Sequence, residues 1–352
     1  MFKHDYQGIA SASKKELVQL IKHESGQPAA RLMPAADAVR QIHYGRKVFF
    51  RGLVEFSNYC KNGCYYCGLQ NNNRSLTRYR LGEEEILSCC AEGYRRGFRS
   101  FVLQSGEDRH YNQGILVEVV QKIKQSFPEC AITLSVGELT ADMYRRLYAA
   151  GCDRFLLRHE TANENHYRSL HPKTMSLTSR KECLFRLKEI GFAVGAGFMV
   201  GSPGQTWEHL AEDLLFLREL QPHMVGIGPF IPQRQTVFAR EKAGSFQLTL
   251  AMLALTRLML PQAMLPYTTA LGTLQNDGRE LGLKAGANVV MPNLTPLGYR
   301  ENYALYDDKA GIDDGVGQGL ANMIQQVDAA GYVPDFSRGD HINYQPRMEG
   351  II

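Results

Sequence analysis

The feature that most limits the fold of this chain is an alternation. Short runs rich in β-branched and aromatic residues recur at Val48–Phe56, Ser100–Gln104, Ala131–Val136, Arg154–Arg158, Ala193–Val200, Met224–Ile227, Leu265–Ala270 and Asn288–Met291. Between them lie segments with apolar residues at helical spacing: Glu83–Arg96, Gly114–Gln125, Thr140–Ala150, Ser179–Ile190, Thr206–Leu220 and Thr249–Leu260. Eight strands with intervening helices predict an α/β fold, a (β/α)8 TIM-type barrel. An open doubly wound sheet is the rival, but no GxGxxG follows the first strand. Two amphipathic helices, Lys14–His23 and Pro34–Tyr44, precede the first strand as an N-terminal helical extension. The expected division is therefore an extension at 1–46, a barrel at 47–305, and a C-terminal region at 306–352. In that last region the acidic, glycine-rich Tyr306–Gly319 reads as a surface loop before a helix at Leu320–Ala330. Barrel chemistry sits at the C-terminal ends of the strands, so polar residues there are the candidates.

The first strand runs into Ser57-Asn-Tyr-Cys60-Lys-Asn-Gly-Cys64-Tyr-Tyr-Cys67-Gly68. Three thiolates at C-x3-C-x2-C spacing can each bind one iron of a cubane, leaving the fourth iron without a protein ligand. An open position is what a cluster needs if it is to bind and reduce a substrate. A zinc knuckle is the other reading, but zinc in a closed site takes four ligands, and no fourth Cys or His lies near in sequence. Of the eight cysteines, the other five (Cys89, Cys90, Cys130, Cys152 and Cys183) are scattered or vicinal, which fits a reducing compartment better than a disulfide framework.

The motif, with the aromatic Tyr66 before its third cysteine, resembles the radical S-adenosylmethionine (SAM) superfamily. That resemblance implies one 4Fe–4S cluster on Cys60, Cys64 and Cys67. It also implies SAM bound at the open iron through its amino and carboxylate groups, and one-electron cleavage to methionine and a 5′-deoxyadenosyl radical. The second strand ends in Ser105-Gly106-Glu107, similar to the superfamily's Gly-Gly-Glu stretch that holds the SAM ammonium. The fourth ends in Arg158-His159-Glu160-Thr161-Ala162-Asn163. Strand alternation sends Arg158 and Glu160 to the same side, where they form either a structural ion pair or part of the SAM site. In the second case Glu160 bonds the SAM ammonium or ribose, and Arg180 on the next helix offers its fork to the carboxylate. The glycines of the fifth strand, around Met199, let backbone approach a ligand closely or form only a tight turn, and the apolar edge at Phe230–Ile231 after the sixth sandwiches adenine or simply packs in the core.

Taken in order, CxxxCxYCGL, LQSGED, RHETAN, MVGIGPFIP, TTALGT and AGANVVMPNLTP resemble the HydE family of FeFe-hydrogenase maturases across about residues 45–305. The resemblance implies a substrate pocket of Thr133, Arg154, Arg158, Thr268, Thr269 and Tyr303 for a small anionic sulfur compound. The implied substrate is a cysteine-ligated iron complex carrying CO and cyanide. The radical attacks its sulfur, and the partners are other hydrogenase maturases and an electron donor of ferredoxin or flavodoxin type. Some family members carry three further cysteines near the C-terminus that bind a second cluster; here Gly311, Gly319 and Asn322 stand there, and no cysteine follows Cys183. Two other functions compete: a methylornithine synthase-like isomerase, and a non-catalytic iron–sulfur carrier, which has no use for SAM contacts.

With net charge +4 and no basic run, nucleic acid is not an expected partner. The first residues lack the apolar stretch of a secretory signal, and the most apolar run, Ala251–Leu260, contains Thr256 and Arg257. A cytoplasmic protein without membrane contact is the expectation.

Overall fold

Strands of alternating β/α order pair in parallel, and here they do so around a ring. In the computed structural model, which describes residues 6, 8–28, 30–111, 114–275, 277–313 and 315–346, the strands are β1 (Lys47–Phe50), β2 (Gly52–Ser57), β3 (Ser100–Ser105), β4 (Ala131–Ser135), β5 (Arg154–Leu156), β6 (Ala193–Val200), β7 (Met224–Pro229), β8 (Val289–Val290) and β9 (Val333–Asp335). β2 to β7 pair in sequence order, all parallel, and β1 pairs with β8. The run expected at Val48–Phe56 is one stave broken at Arg51 into β1 and β2. The run expected at Leu265–Ala270 forms no long strand. It closes the ring through isolated bridges, Met224 to Met264 and Pro266 to Val289, and Tyr267 N donates to Val289 O at 2.8 Å. Eight staves therefore surround the interior, and the barrel expectation holds.

The strands are buried along nearly their whole length, as parallel strands covered by helices must be. β6 is extended over all eight residues and wholly buried, with Gly197 approaching β7 so closely that a Cβ would stand 2.0 Å from Gly226 O. The outer helices include Glu83–Arg95, Ile115–Ser126, Ala141–Ala149, Leu177–Ile190, Trp207–Leu220 and Phe246–Met259, each within a few residues of its expected bounds. Their starts are set by side chains that accept orphan amides: Thr140 from Met143, Ser176 from Ser179, Thr206 from His209. Lys14–Glu24 and Leu32–Tyr44 pack against the last two helices of that set, so the extension covers the barrel's flank.

The C-terminal segment does more than follow the barrel. β9 pairs with β1, and Arg99 N, just before β3, donates to Phe336 O at 3.1 Å. Residues 338–340 then reach the N-terminal ends of the strands. Arg154 Nη2 binds Arg338 O and Asp340 Oδ1 at 2.6 Å each, Arg51 Nη2 binds Gly339 O at 3.0 Å, and Arg338 pairs with Asp153 at 2.8 Å.

Candidate radical-SAM active site

Past Ser57 the chain leaves the rim of the barrel as the loop that carries Cys60, Cys64 and Cys67. Backbone hydrogen bonds pin it down: Lys61 N to Glu107 O at 3.0 Å, Tyr65 N to Leu170 O at 2.9 Å, and Gly68 N to Leu305 O at 2.9 Å. Position 68 requires glycine, since a Cβ there would stand 2.0 Å from Ala304 O. Arg78 ties the loop from outside by donating to the carbonyls of Leu69 at 2.9 Å and Gln70 at 2.7 Å. All three cysteines are free, half-buried, and open into one cavity of about 350 Å³. Burial pushes each thiol up, Cys67 to about 12 with Cys60 adding to it. Alone they keep their protons, and bound iron would displace them. Among the described residues no three His, Cys, Asp or Glu side chains converge as ligands of one ion would. Three spread thiols suit a cubane, in which each takes a different iron.

The same cavity gathers the expected SAM residues: Tyr66, Ser105, Gly106, Glu107, Glu160, Arg180, Met199 and Ile231 all line it. Tyr66 is held in place, its hydroxyl donating to His171 Nε2 at 3.3 Å, because His171 Nδ1 donates to Tyr167 O at 2.9 Å. Arg180 sits on the helix Leu177–Ile190 with its guanidinium facing inward. Its Nη1 donates to Arg158 O at 3.2 Å, Nη2 is 3.6 Å from Glu107, and Nε is 2.6 Å from Glu138 though misaligned for a hydrogen bond. Lys61 completes the cluster at 3.1 Å from Glu107.

Glu160 reaches the cavity by a different route from the one strand alternation implies. β5 ends at Leu156, and Glu160 has φ 66°, in the left-handed region. The amides of His159 and Glu160 both donate to Gly197 O, at 2.9 and 3.1 Å, which forces the kink. Such a backbone costs about 1–3 kcal/mol for a non-glycine residue. The kink turns His159 outward instead, 3.3 Å from Asp213, where burial lowers the imidazole and raises the carboxyl.

Of the expected substrate residues, Arg158, Thr268, Thr269 and Tyr303 line this cavity. The threonines begin the helix Thr269–Leu274, with Thr268 as its N-cap, rather than ending a strand. Room for Thr268 comes from Gly228, where a Cβ would stand 2.8 Å from its Oγ1. Thr133 and Arg154 are not brought to the cavity: Arg154 is the first residue of β5 and Thr133 its neighbour in register, both toward the floor of the barrel. Arg154 is spent there on Ser100, Arg338 and Asp340.

Sequence reasoning missed Glu55, Arg279, Tyr306 and Lys309, which also line the cavity. Glu55 was readable as a charge inside an apolar strand near its C-terminal end. Lys309 was readable as the lone cation of an acidic loop.

Four polar atoms in this cavity's wall are buried without a hydrogen bond: Arg158 Nε, Glu160 Oε2, Arg180 Nε and Thr268 Oγ1. Arg158 Nε and Thr268 Oγ1 cost about 1–3 kcal/mol each, whereas Glu160 Oε2 stands 3.2 Å from Arg158 Nη2 and Arg180 Nε 2.6 Å from Glu138 in ion pairs. Their convergence fits a polar ligand with groups of both signs, as SAM has, beside a cluster at the thiol loop.

Comparisons with known proteins agree with this geometry. Residues 54–217 match the Radical SAM superfamily model. The chain is 49% identical over 278 residues to the [FeFe] hydrogenase maturase subunit HydE of Thermotoga maritima, covering 79% of each. It is 31% identical over 294 residues to the 3-methylornithine synthase of Methanosarcina barkeri, covering 83% of this chain and 82% of that protein. Among solved structures it resembles methylornithine synthase PylB, with TM-score 0.80, 26% identity, and coverage of 95% and 97%. The fold is also that of the FeFe-hydrogenase maturase HydG from Carboxydothermus hydrogenoformans, with TM-score 0.77, 22% identity, and coverage of 94% of this chain and 78% of that one. A cysteine loop at the barrel rim, a charged shell around its mouth and these likenesses together place the chain in the radical SAM superfamily and, within it, in the HydE family.

Proposed function

We propose that this enzyme acts in FeFe-hydrogenase maturation on a small anionic sulfur compound, a cysteine-ligated iron complex carrying CO and cyanide. The observation that carries the reading is that a guanidinium, Arg158, and a hydroxyl without a hydrogen bond, Thr268, both line the cavity into which the cysteine loop opens. Cys60, Cys64 and Cys67 would hold the 4Fe–4S cluster, and Glu160 and Arg180 the charged groups of SAM. When bound, these cofactors supply an electron and a 5′-deoxyadenosyl radical that attacks the substrate's sulfur.

The chain's own part is binding, orientation and exclusion of water. Arg158, fixed by Nη2 to Phe198 O at 2.7 Å, presents positive charge to an anion. Thr268 and Thr269 donate hydroxyls to a carboxylate or cyanide. Tyr303 is 1% exposed, and burial keeps its phenol neutral, so it closes the wall without adding charge. A ferredoxin- or flavodoxin-type protein in a reducing cytoplasm would deliver the electron.

The likeness to methylornithine synthase, strong in both sequence and fold, supports a second reading, an isomerase acting on an amino acid. One assay separates them: hydrogenase activity in a maturation system without its own HydE. The wild-type chain should restore it, whereas Arg158→Ala and Thr269→Val should not, while both keep cluster and SAM. Failure of the wild type there, with methylornithine made from lysine, rejects the maturase reading.

A further inference from the structure

A second cavity, of about 250 Å³, adjoins the first. Glu55, Thr269, Met291 and Lys309 line both. Glu55 is 1% exposed and fully engaged, Oε1 with Lys309 Nζ at 2.5 Å and Oε2 with Asn293 Nδ2 at 2.9 Å. Lys309 Nζ also lies 3.4 Å from Tyr303 O and 5.0 Å from the centroid of the Tyr303 ring. The Lys309–Glu55 pair thus stands in the boundary between the two spaces, which Leu53, Tyr267, Arg279 and Met323 also line.

The far side is built differently from the barrel. Gly311, Gly315 and Gly319 line it, together with the first turn of the helix Val316–Ala329, whose N-cap Gly315 offers no side chain to the leading amides. Among the described lining residues Arg279, Arg300 and Lys309 are cations and Glu55 is the one carboxylate. The acidic loop that carries Lys309 sorts its charges. Asp307 turns away to Arg234, accepting from its backbone N at 2.8 Å and Nε at 3.1 Å, while Asp308 and Asp313 are exposed. Among the described charged residues of that loop, only the lysine points inward.

We propose that this second cavity is an antechamber that holds a small anion and passes it to the barrel cavity past the Lys309–Glu55 pair. The transfer role rests on the reading of the barrel cavity as the site of an anionic substrate; the anion preference does not. With both Glu55 oxygens occupied, an anion that has entered the antechamber meets Lys309 at the boundary, and a flexible lysine stem on a glycine-rich loop can follow it. Between arrivals the pair shuts the barrel to water from this side.

The test places a cysteine in the antechamber, Asn322→Cys, in the cluster-loaded enzyme. It is labelled with an anionic sulfonatoethyl and a cationic trimethylammonioethyl methanethiosulfonate. Rates are referred to Ile42→Cys, at a position 78% exposed on an outer helix. A focusing positive cavity should favour the anionic reagent by roughly tenfold over that reference, less at high salt. Complete labelling should leave SAM binding intact and abolish hydrogenase maturation. Equal reference-corrected rates overturn the anion preference, and full maturation by the labelled enzyme overturns the transfer role. Gly315→Cys, at an N-cap where an added Cβ meets nothing within 4 Å, provides the second position if the first variant does not fold. Failure of the unlabelled wild type to mature hydrogenase would instead reject the substrate reading and leave the labelling ratio to be judged by itself.

Discussion

Arg180→Met separates the two roles that the charged shell can have. Methionine keeps the aliphatic stem and removes the guanidinium fork. Three contacts go: Glu138 at 2.6 Å, Arg158 O at 3.2 Å and Glu107 at 3.6 Å. Breaking a wholly buried ion pair costs about 3–5 kcal/mol. Here Glu107 keeps Lys61 at 3.1 Å, and Glu138, with its side chain 22% exposed, regains water. The loss of stability should therefore be smaller, about 2 kcal/mol. If Arg180 also bonds the carboxylate of SAM, binding loses a charge-assisted hydrogen bond worth about 1.5–3 kcal/mol. That is roughly a 10- to 150-fold rise in Kd. The assay is equilibrium SAM titration of cluster-loaded protein, with urea unfolding run beside it. A lower unfolding midpoint with SAM affinity within about twofold of wild type would show a purely structural ion-pair network and refute the ligand role.

Reconstitution under anaerobic conditions should give about four irons per chain, since the chain holds one C-x3-C-x2-C triad, and alanine at Cys60, Cys64 or Cys67 should abolish formation of 5′-deoxyadenosine. Eight irons per chain would contradict a single cluster. Gly228→Ala sets a methyl 2.8 Å from Thr268 Oγ1, so Thr268 must turn away. Iron content and SAM binding should persist while hydrogenase maturation falls; unchanged maturation removes Thr268 from the substrate contacts. His223 and His341, with rings 4.9 Å apart, are each lowered to about 4 by burial first and by a neighbouring charge second. Because the folded state resists protonation of both, their stabilisation is complete above the usual histidine value of about 6.5 and declines as pH falls toward 4. The slope reaches up to about 2.7 kcal/mol per pH unit for the pair. Urea midpoints at pH 7.5, 6 and 5 should show it, and the double variant His223→Gln/His341→Gln should be flatter.

Periodicity made the barrel legible, and the reasons are local. β6, wholly buried and bounded by turns, has no competing reading, and its expected and observed limits coincide at Ala193–Val200. The seventh stave was harder because Met264–Tyr267 pairs through single bridges and the following threonines start a helix. Thr268 and Thr269 were legible as residues lining the cavity although their local structure was not, since either arrangement leaves them at the rim. Glu160 was legible for an incomplete reason. Its direction comes from two amides competing for Gly197 O, a contact across strands that alternation along one strand does not contain. Arg154 and Thr133 show the opposite limit. Nothing local distinguishes the start of a short strand from its end, and the partners that place Arg154 lie more than 180 residues downstream.

Those partners explain how one short strand serves two opposite needs. At its start Arg154 makes hydrogen bonds to Ser100, Arg338 O and Asp340, and the chain's last strand and tail fold under the barrel to supply two of them. Just beyond its end Arg158 keeps Nε buried and unbonded, while its Nη2 donates to Phe198 O at 2.7 Å and stands in an ion pair 3.2 Å from Glu160 Oε2. Two guanidiniums four residues apart thus differ in whether their bonding is completed from within the chain. Completing it at the floor stabilises the barrel. Leaving it incomplete at the mouth costs stability that only a ligand recovers, so binding there should raise the unfolding midpoint in proportion to ligand concentration over Kd. Arg158→Met removes that cost along with the cation. It also takes from Glu160 its ion-pair partner at 3.2 Å, so the unfolding midpoint of the ligand-free protein should change little while maturation falls, whereas Arg154→Met should lower the midpoint outright. Equal destabilisation by the two substitutions would show that Arg158 is a structural ion-pair residue after all.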